Sequence, residues 1–82
     1  MHLELLTPSN NVFAGEVKLV KVPGSGGSFE ILKNHAAIIA ALTDGELKVI
    51  TEKDETLQYK TSNGVVEVSN NHIVVLVESI SS

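Results

Sequence analysis

The chain has 82 residues, 43% of them hydrophobic, with two Phe, one Tyr and neither Trp nor Cys. A chain this short makes one domain, burying about 60 to 65% of its unfolded surface, and without cysteine it has no disulfide framework or thiolate metal site to stabilise it. Ten carboxylates against six basic residues, all lysine, leave a net charge of −4, the wrong balance for a non-specific nucleic-acid binder.

Leu3 and Leu5 alternate with polar residues, which reads as a half-buried strand, and Glu4, Glu16, Lys18 and Lys21 read as its solvated face and that of the next strand. The opening MHLELLT has no basic region followed by an apolar stretch of signal-peptide length. In VKLVKV the apolar phase slips, because Val17 and Leu19 share one face while Val20 and Val22 share the other; a bulge or a two-faced strand accounts for it. Next comes VPGSGGSFEIL, where Pro23 fixes its own φ and Gly24, Gly26 and Gly27 admit conformations closed to other residues. Such a segment turns tightly or lets another surface approach its backbone.

Ala36–Leu42 is the longest apolar run, far short of the roughly 20 residues that cross a bilayer. Its alanines and a possible cap at Asn34 would also support two turns of helix, but the turn signal that follows favours a strand. Ile38, Ile39 and Leu42 exceed what one narrow face buries, so part of this segment is expected to pack on a partner. Leu47 with Val49, Leu57 with Tyr59, and Val66 with Val68 alternate as half-buried strands, and the unbroken run Ile73–Val77 reads as a central strand covered on both faces. Asp44-Gly45 and Asn63-Gly64 are strong two-residue hairpin signals, and with Asn70-Asn71 and the polar Glu52–Glu55 they predict an antiparallel meander. The expected fold is all-β: a single domain over residues 1–82, eight to ten short strands in a two-layer antiparallel sandwich or flattened barrel.

The motifs exclude much chemistry. A P-loop needs Lys and Ser or Thr after its glycines, and here Phe29 and Glu30 follow; the dinucleotide fingerprint fails on spacing. His2, His35 and His72 stand at no metal-ligand spacing. His35 could be nominated with Asp44 and a loop serine for catalysis, but nothing places them within reach of one another, and a hydrogen-bonded structural role is the default for it. No cofactor is expected.

The strings MHLELLTP, FAGEV at Phe13–Val17, VPGSGGSFEIL at Val22–Leu32, NHA at Asn34–Ala36 and LTDGELKV at Leu42–Val49 together resemble the N-terminal domain of the epsilon subunit of F-type ATP synthases. The resemblance covers essentially the whole chain and implies a two-sheet β-sandwich of roughly ten strands. It further implies a non-catalytic rotor subunit of a proton-transporting synthase, in a heteromeric complex peripheral to the cytoplasmic face of a bacterial cell membrane. Its implied partners are the γ subunit and the ring of c subunits. Pro23, Gly24, Ser25, Gly26, Gly27, Ser28 and Phe29 would face the ring, and Thr7, His35 and Ala40 would face γ.

The chain departs from that family's pattern at Lys33 and Ala37, where prolines usually flank NHA, and at Ser28, where many members carry a carboxylate directed at the ring. The family usually continues into a pair of inhibitory C-terminal helices, and the ending VESISS reads as the natural end of a short form. The competing expectation, from another class of function, is a free-standing β-sandwich adaptor or ligand-binding module that uses the Gly24–Ser28 loop.

Overall fold

A computed structural model describes residues 1–81. Nine strands are assigned among them: β1 (His2–Thr7), β2 (Asn10–Gly24), β3 (Gly27–Leu32), β4 (Ile38–Leu42), β5 (Gly45–Thr51), β6 (Thr56–Thr61), β7 (Gly64–Ser69), β8 (His72–Val77) and β9 (Ile80–Ser81). The 15-residue β2 ties two layers together. Its first half pairs with β1, which continues through β8 and β7 to β4; its second half lies between β3 and β5, and β5 continues through β6 to β9. This is the expected all-β sandwich, hydrogen-bonded around its corners as one curled sheet.

The core between the layers is entirely aliphatic. Leu3, Leu5, Val17, Val20, Val22, Ile31, Leu47, Val49, Val66, Ile73 and Val75 are fully buried, while Phe13, Phe29 and Tyr59 pack around its margin. β-branched residues suit this construction because their restricted rotamers fit the pleated surface. The two buried polar side chains among the described residues are both bonded: Thr51 Oγ1 accepts the N–H groups of Lys53 and Glu55, organising the β5–β6 turn, and Thr61 Oγ1 donates to the Gly45 carbonyl.

The phase slip in β2 is a bulge. The β2–β5 register shifts between Val17 and Leu19, and the extra residue turns both Val17 and Val20 into the core. Within Ala36–Leu42, Ile38–Leu42 forms strand β4 and no residue is helical. Asn34 does not cap a helix; it takes a left-handed φ of 66°.

Four expectations need correction. Asn63-Gly64 does not close a hairpin, since β6 pairs with β5 and β9 and β7 pairs with β4 and β8. Asp44-Gly45 likewise leads from β4 in one layer to β5 in the other. Neither glycine has positive φ; both are needed for close approach. A Cβ on Gly64 would run into the Leu76 carbonyl and come within 2.8 Å of Val77, and one on Gly45 would lie 2.8 Å from the Pro23 ring. The weaker signal, Asn70-Asn71, is the one that closes a two-residue hairpin, with φ of 49° and 60°, as a type I′ turn demands. The meander is therefore two separate hairpins, β5–β6 and β7–β8, in opposite layers.

β8 is central but covered on one face only: Ile73, Val75 and Val77 are buried, Val74 is half-buried and Leu76 is exposed. It also runs parallel to β1, the one parallel pair in the otherwise antiparallel ladder. The carbonyl of Asn71 accepts the N–H of His2 at the start of that pairing.

Candidate docking surface

The glycine-rich segment is the β2–β3 hairpin. Gly24 faces Gly27 across the two-residue turn Ser25-Gly26, and each glycine has its own physical status. Gly27 has φ of 126°, a conformation L side chains rarely adopt, whereas Gly24 is needed for space: a Cβ there would lie 2.7 Å from the Gly27 carbonyl and 2.9 Å from the Phe29 ring. Gly26 meets neither demand, because its surroundings are open and its φ is not positive. Pro23, with no N–H to give, sits where β2 exchanges β5 for β4 as its neighbour, between the Lys21–Lys48 and Gly24–Leu42 pairs. Pro23 and Gly24 are buried, Ser25 through Ser28 are exposed, and Phe29 is half-buried.

His35 stands next to this hairpin. Its ring lies 6.4 Å from that of Phe29, its Nδ1–H donates to the Ala36 carbonyl at 2.7 Å, and its backbone N–H donates to Leu32. The bonded structural histidine expected from the sequence is thus present. Ala40 also lies close, lining with Phe29 and the hairpin glycines a cleft of about 440 Å³. The fold therefore brings together Pro23 to Phe29, His35 and Ala40.

Thr7 is elsewhere, at the far end of β1, where its Oγ1 accepts the Asn10 N–H. It is three strand spacings from β4 in the sheet order, roughly 14 Å at ~4.8 Å per strand. Ala40 points inward, in a row with Val66, Val75 and Leu5. The outward positions on β4 are Ile39 and Ala41.

Those two residues belong to a surface the sequence reading only partly found. Leu6, Leu76, Val65 and Ala41 are register partners across four strands on the outer face of the first layer, and Leu76 and Val65 are 41% and 38% exposed. The next row, Glu4–Val74–Glu67–Ile39, includes Ile39 at 73% exposure. A third row is polar: His2 pairs with Glu16 at 2.8 Å, His72 pairs with Glu4 at 2.6 Å, and the two imidazoles meet edge-on at 5.2 Å. An apolar stripe with a charged rim has the anatomy of a protein-binding face. Its members come from four separate strands, so no sequence window displays them together. The available signal was the doubled apolar residues at 38–39, 65–66 and 74–77, which alternation cannot place on one face.

Charge pairing elsewhere is superficial. Lys18 Nζ lies 2.7 Å from Asp54, and this hydrogen bond raises the lysine's pKa; the hydrogen bond to His2 lowers that of Glu16. Among the described residues, no three His, Cys, Asp or Glu are grouped so as to hold a metal ion, and no helix is long and apolar enough to cross a membrane.

Fold and surface together define a β-sandwich interaction module, with an exposed glycine hairpin at one end and an apolar stripe on one face. The chain belongs to the family described as the ATP synthase delta/epsilon chain β-sandwich domain, whose model matches residues 1–82. It is 39% identical over 80 residues to the ATP synthase epsilon chain of Protochlamydia amoebophila, covering 98% of this chain and 54% of that one. It is 34% identical over 79 residues to the epsilon chain of Chlorobaculum tepidum, covering 96% and 90% respectively. The chain thus spans about half of the first relative and nine-tenths of the second. Its fold is similar to chains in the cryo-EM structures of the Euglena gracilis mitochondrial ATP synthase (TM-score 0.87, 19% identity, 96% of this chain and 51% of that one) and of the Tetrahymena thermophila mitochondrial ATP synthase central stalk and c-ring (TM-score 0.83, 21% identity, 100% and 66%).

Proposed function

We propose that this chain is a non-catalytic subunit of the central stalk of a proton-transporting F-type ATP synthase, which docks the γ subunit onto the c ring and passes rotation between them. The observation that carries this reading is the family match over residues 1–82, with relatives named as ATP synthase epsilon chains. In this reading, Pro23, Gly24, Ser25, Gly26, Gly27, Ser28 and Phe29 form the ring-facing loop. The lack of any internal requirement for glycine at Gly26 supports it, since a bare backbone at a hairpin tip admits close approach by another protein. Ser28 offers a hydroxyl where a carboxylate would give an ionic contact, so this chain's hold on the ring depends on hydrogen bonding and shape.

Thr7, His35 and Ala40 mark the γ side, with Ile39 and Ala41 as the outward-facing anchors beside them. In this reading the complex holds the chain at a membrane, on the cytoplasmic face of a bacterial cell. Co-purification tests the reading: the chain and γ from the same organism, mixed at micromolar concentration, should elute as one complex. Failure to bind either γ or a γ–ring assembly would refute it, and ligand-dependent shifts of the Gly24–Ser28 amides without γ would favour a free-standing binding module.

A further inference from the structure

The strand ladder leaves backbone edges unpaired on β3 and on β4. β3 pairs with β2 alone, in unbroken register from Leu19–Leu32 to Gly24–Gly27. In a two-residue hairpin the residues flanking the turn bond to each other, and bonded and non-bonded pairs then alternate. Gly27, Phe29 and Ile31 therefore turn their backbone groups to β2, while Ser28, Glu30 and Leu32 turn theirs to the free side. Two observed bonds agree with this assignment: the Leu32 carbonyl accepts from His35, and the Pro23 carbonyl, opposite Ser28, accepts from Thr43.

On β4, the side away from β7 has one pairing to β2, at Gly24–Leu42. There the Ala41 carbonyl accepts the Ser25 N–H, so by the same alternation Ile39 directs its backbone groups to the free side. The cleft of about 440 Å³ beside the hairpin is bounded by both strands.

Open strand edges are ordinarily blunted by shortness, bulges, proline or lysine. Among the described residues, β9 has two residues, and the outer half of β2 carries a register shift opposite Leu5–Leu6. β3 is neither short, bulged nor broken by proline: its six residues, GSFEIL, are regular, and Glu30 is its one charge. Its neighbour β4 carries Ile39, the most exposed large hydrophobic side chain described.

We propose that the free edge of β3 accepts an extended segment of the γ subunit as an added strand. The proposal rests on the partner assignment made above and supplies its binding mode. Backbone donors and acceptors in a row are satisfied by another extended backbone, and alternate side chains of that segment reach Phe29 on one face and Leu32 on the other. A second copy of the chain is the poorer occupant: each carries a net charge of −4, and β3 paired with itself in the register centred on Glu30 sets two carboxylates opposite each other.

The test is amide hydrogen exchange on the 82-residue chain, alone and with γ, together with γ affinities for the Glu30→Pro and Glu30→Gln variants. Glu30 stands opposite Lys21 at a non-bonded position, so Glu30→Pro removes an outward N–H and leaves the β2 ladder intact. Support is slowing of the Ser28, Glu30 and Leu32 amides by at least tenfold on γ binding, with affinity falling tenfold or more in Glu30→Pro and less than threefold in Glu30→Gln. If Glu30→Pro fails to fold, the amide rates of the unmodified chain decide. Binding of γ with those amides exchanging as in the free chain overturns strand addition while leaving the stalk assignment standing. Absence of γ binding overturns both, and protection that grows with the chain's own concentration assigns the edge to self-pairing and also overturns the proposal.

Discussion

Asn34 and Asn71 hold each other across 37 residues: the Asn34 N–H donates to Asn71 Oδ1 at 2.6 Å, and Asn71 Nδ2 donates to Asn34 Oδ1 at 3.1 Å. Both backbones are left-handed, with φ of 66° and 60°, a region that asparagine tolerates better than most residues. The pair fastens the β3–β4 connection, which carries His35, to the β7–β8 turn in the other layer. Asn71→Gly, which keeps the backbone and loses the bonds, should cost about 1 kcal/mol. Asn71→Ala should cost about 1 kcal/mol more, for the left-handed strain. Urea unfolding of the two variants separates the terms.

The glycines differ in what they tolerate. Gly64→Ala forces a Cβ against the Leu76 carbonyl and Val77, and should destabilise the chain by about 3 kcal/mol. Gly26→Ala enters open space and should stay within about 0.5 kcal/mol of the parent. The same Gly26→Ala protein should nevertheless bind the γ–ring assembly more weakly than the parent, so pairing urea midpoints with ring affinity distinguishes a folding glycine from a docking one.

Ile39 is 73% exposed, so Ile39→Lys should leave the urea midpoint nearly unchanged. A lysine on the apolar stripe should reduce γ binding tenfold or more, since a central apolar anchor carries a large share of interface energy. Glu67→Gln, beside it on the neighbouring strand, should instead alter mainly the association rate and its salt dependence. Surface-based kinetics with immobilised γ reads both effects.

Stability should respond to acid through Glu16. Its carboxyl is held below the usual range, chiefly by the hydrogen bond from His2, with a further contribution from the N-terminal ammonium. A depressed carboxylate pKa stabilises the fold above the ordinary glutamate value, and that contribution is lost as pH falls through the lowered one. Glu16→Gln should therefore sit slightly below the parent in urea midpoint at about pH 7 and converge with it as pH falls through the lowered glutamate value. The pair is exposed, so the difference is small at neutral pH and shrinks further in high salt.

Much of the sandwich was legible because most strands show two-residue alternation, and the β2 bulge was visible as a phase slip. What misled was turn chemistry. Asn-Gly and Asp-Gly are hairpin signals because glycine accepts positive φ, yet Gly45 and Gly64 serve where strands cross between layers and a Cβ would collide. A dipeptide cannot report which of these uses applies, because the colliding atoms, on Pro23 and Leu76, are distant in sequence. The parallel partnership of β1 with β8 was invisible for the same reason. At the docking surface, the hairpin and His35 were readable as a contiguous motif, while Leu6, Val65 and Leu76 became a stripe only once the register was known. Ala40 is expected toward γ; its own side chain lies in an inward row with Val66, so its neighbours Ile39 and Ala41 carry the side chains available to a partner there.

The central claim is that one end of the sandwich meets the ring while its apolar face meets γ. Site-directed cross-linking in the assembled complex tests it most directly, with a short photo-reactive probe attached to Ser25→Cys at the exposed hairpin tip or to Ile39→Cys, the chain having no cysteine of its own. The expected result is a c-subunit adduct from position 25 and a γ adduct from position 39. Adducts of both positions with the same subunit, or with neither, would contradict it.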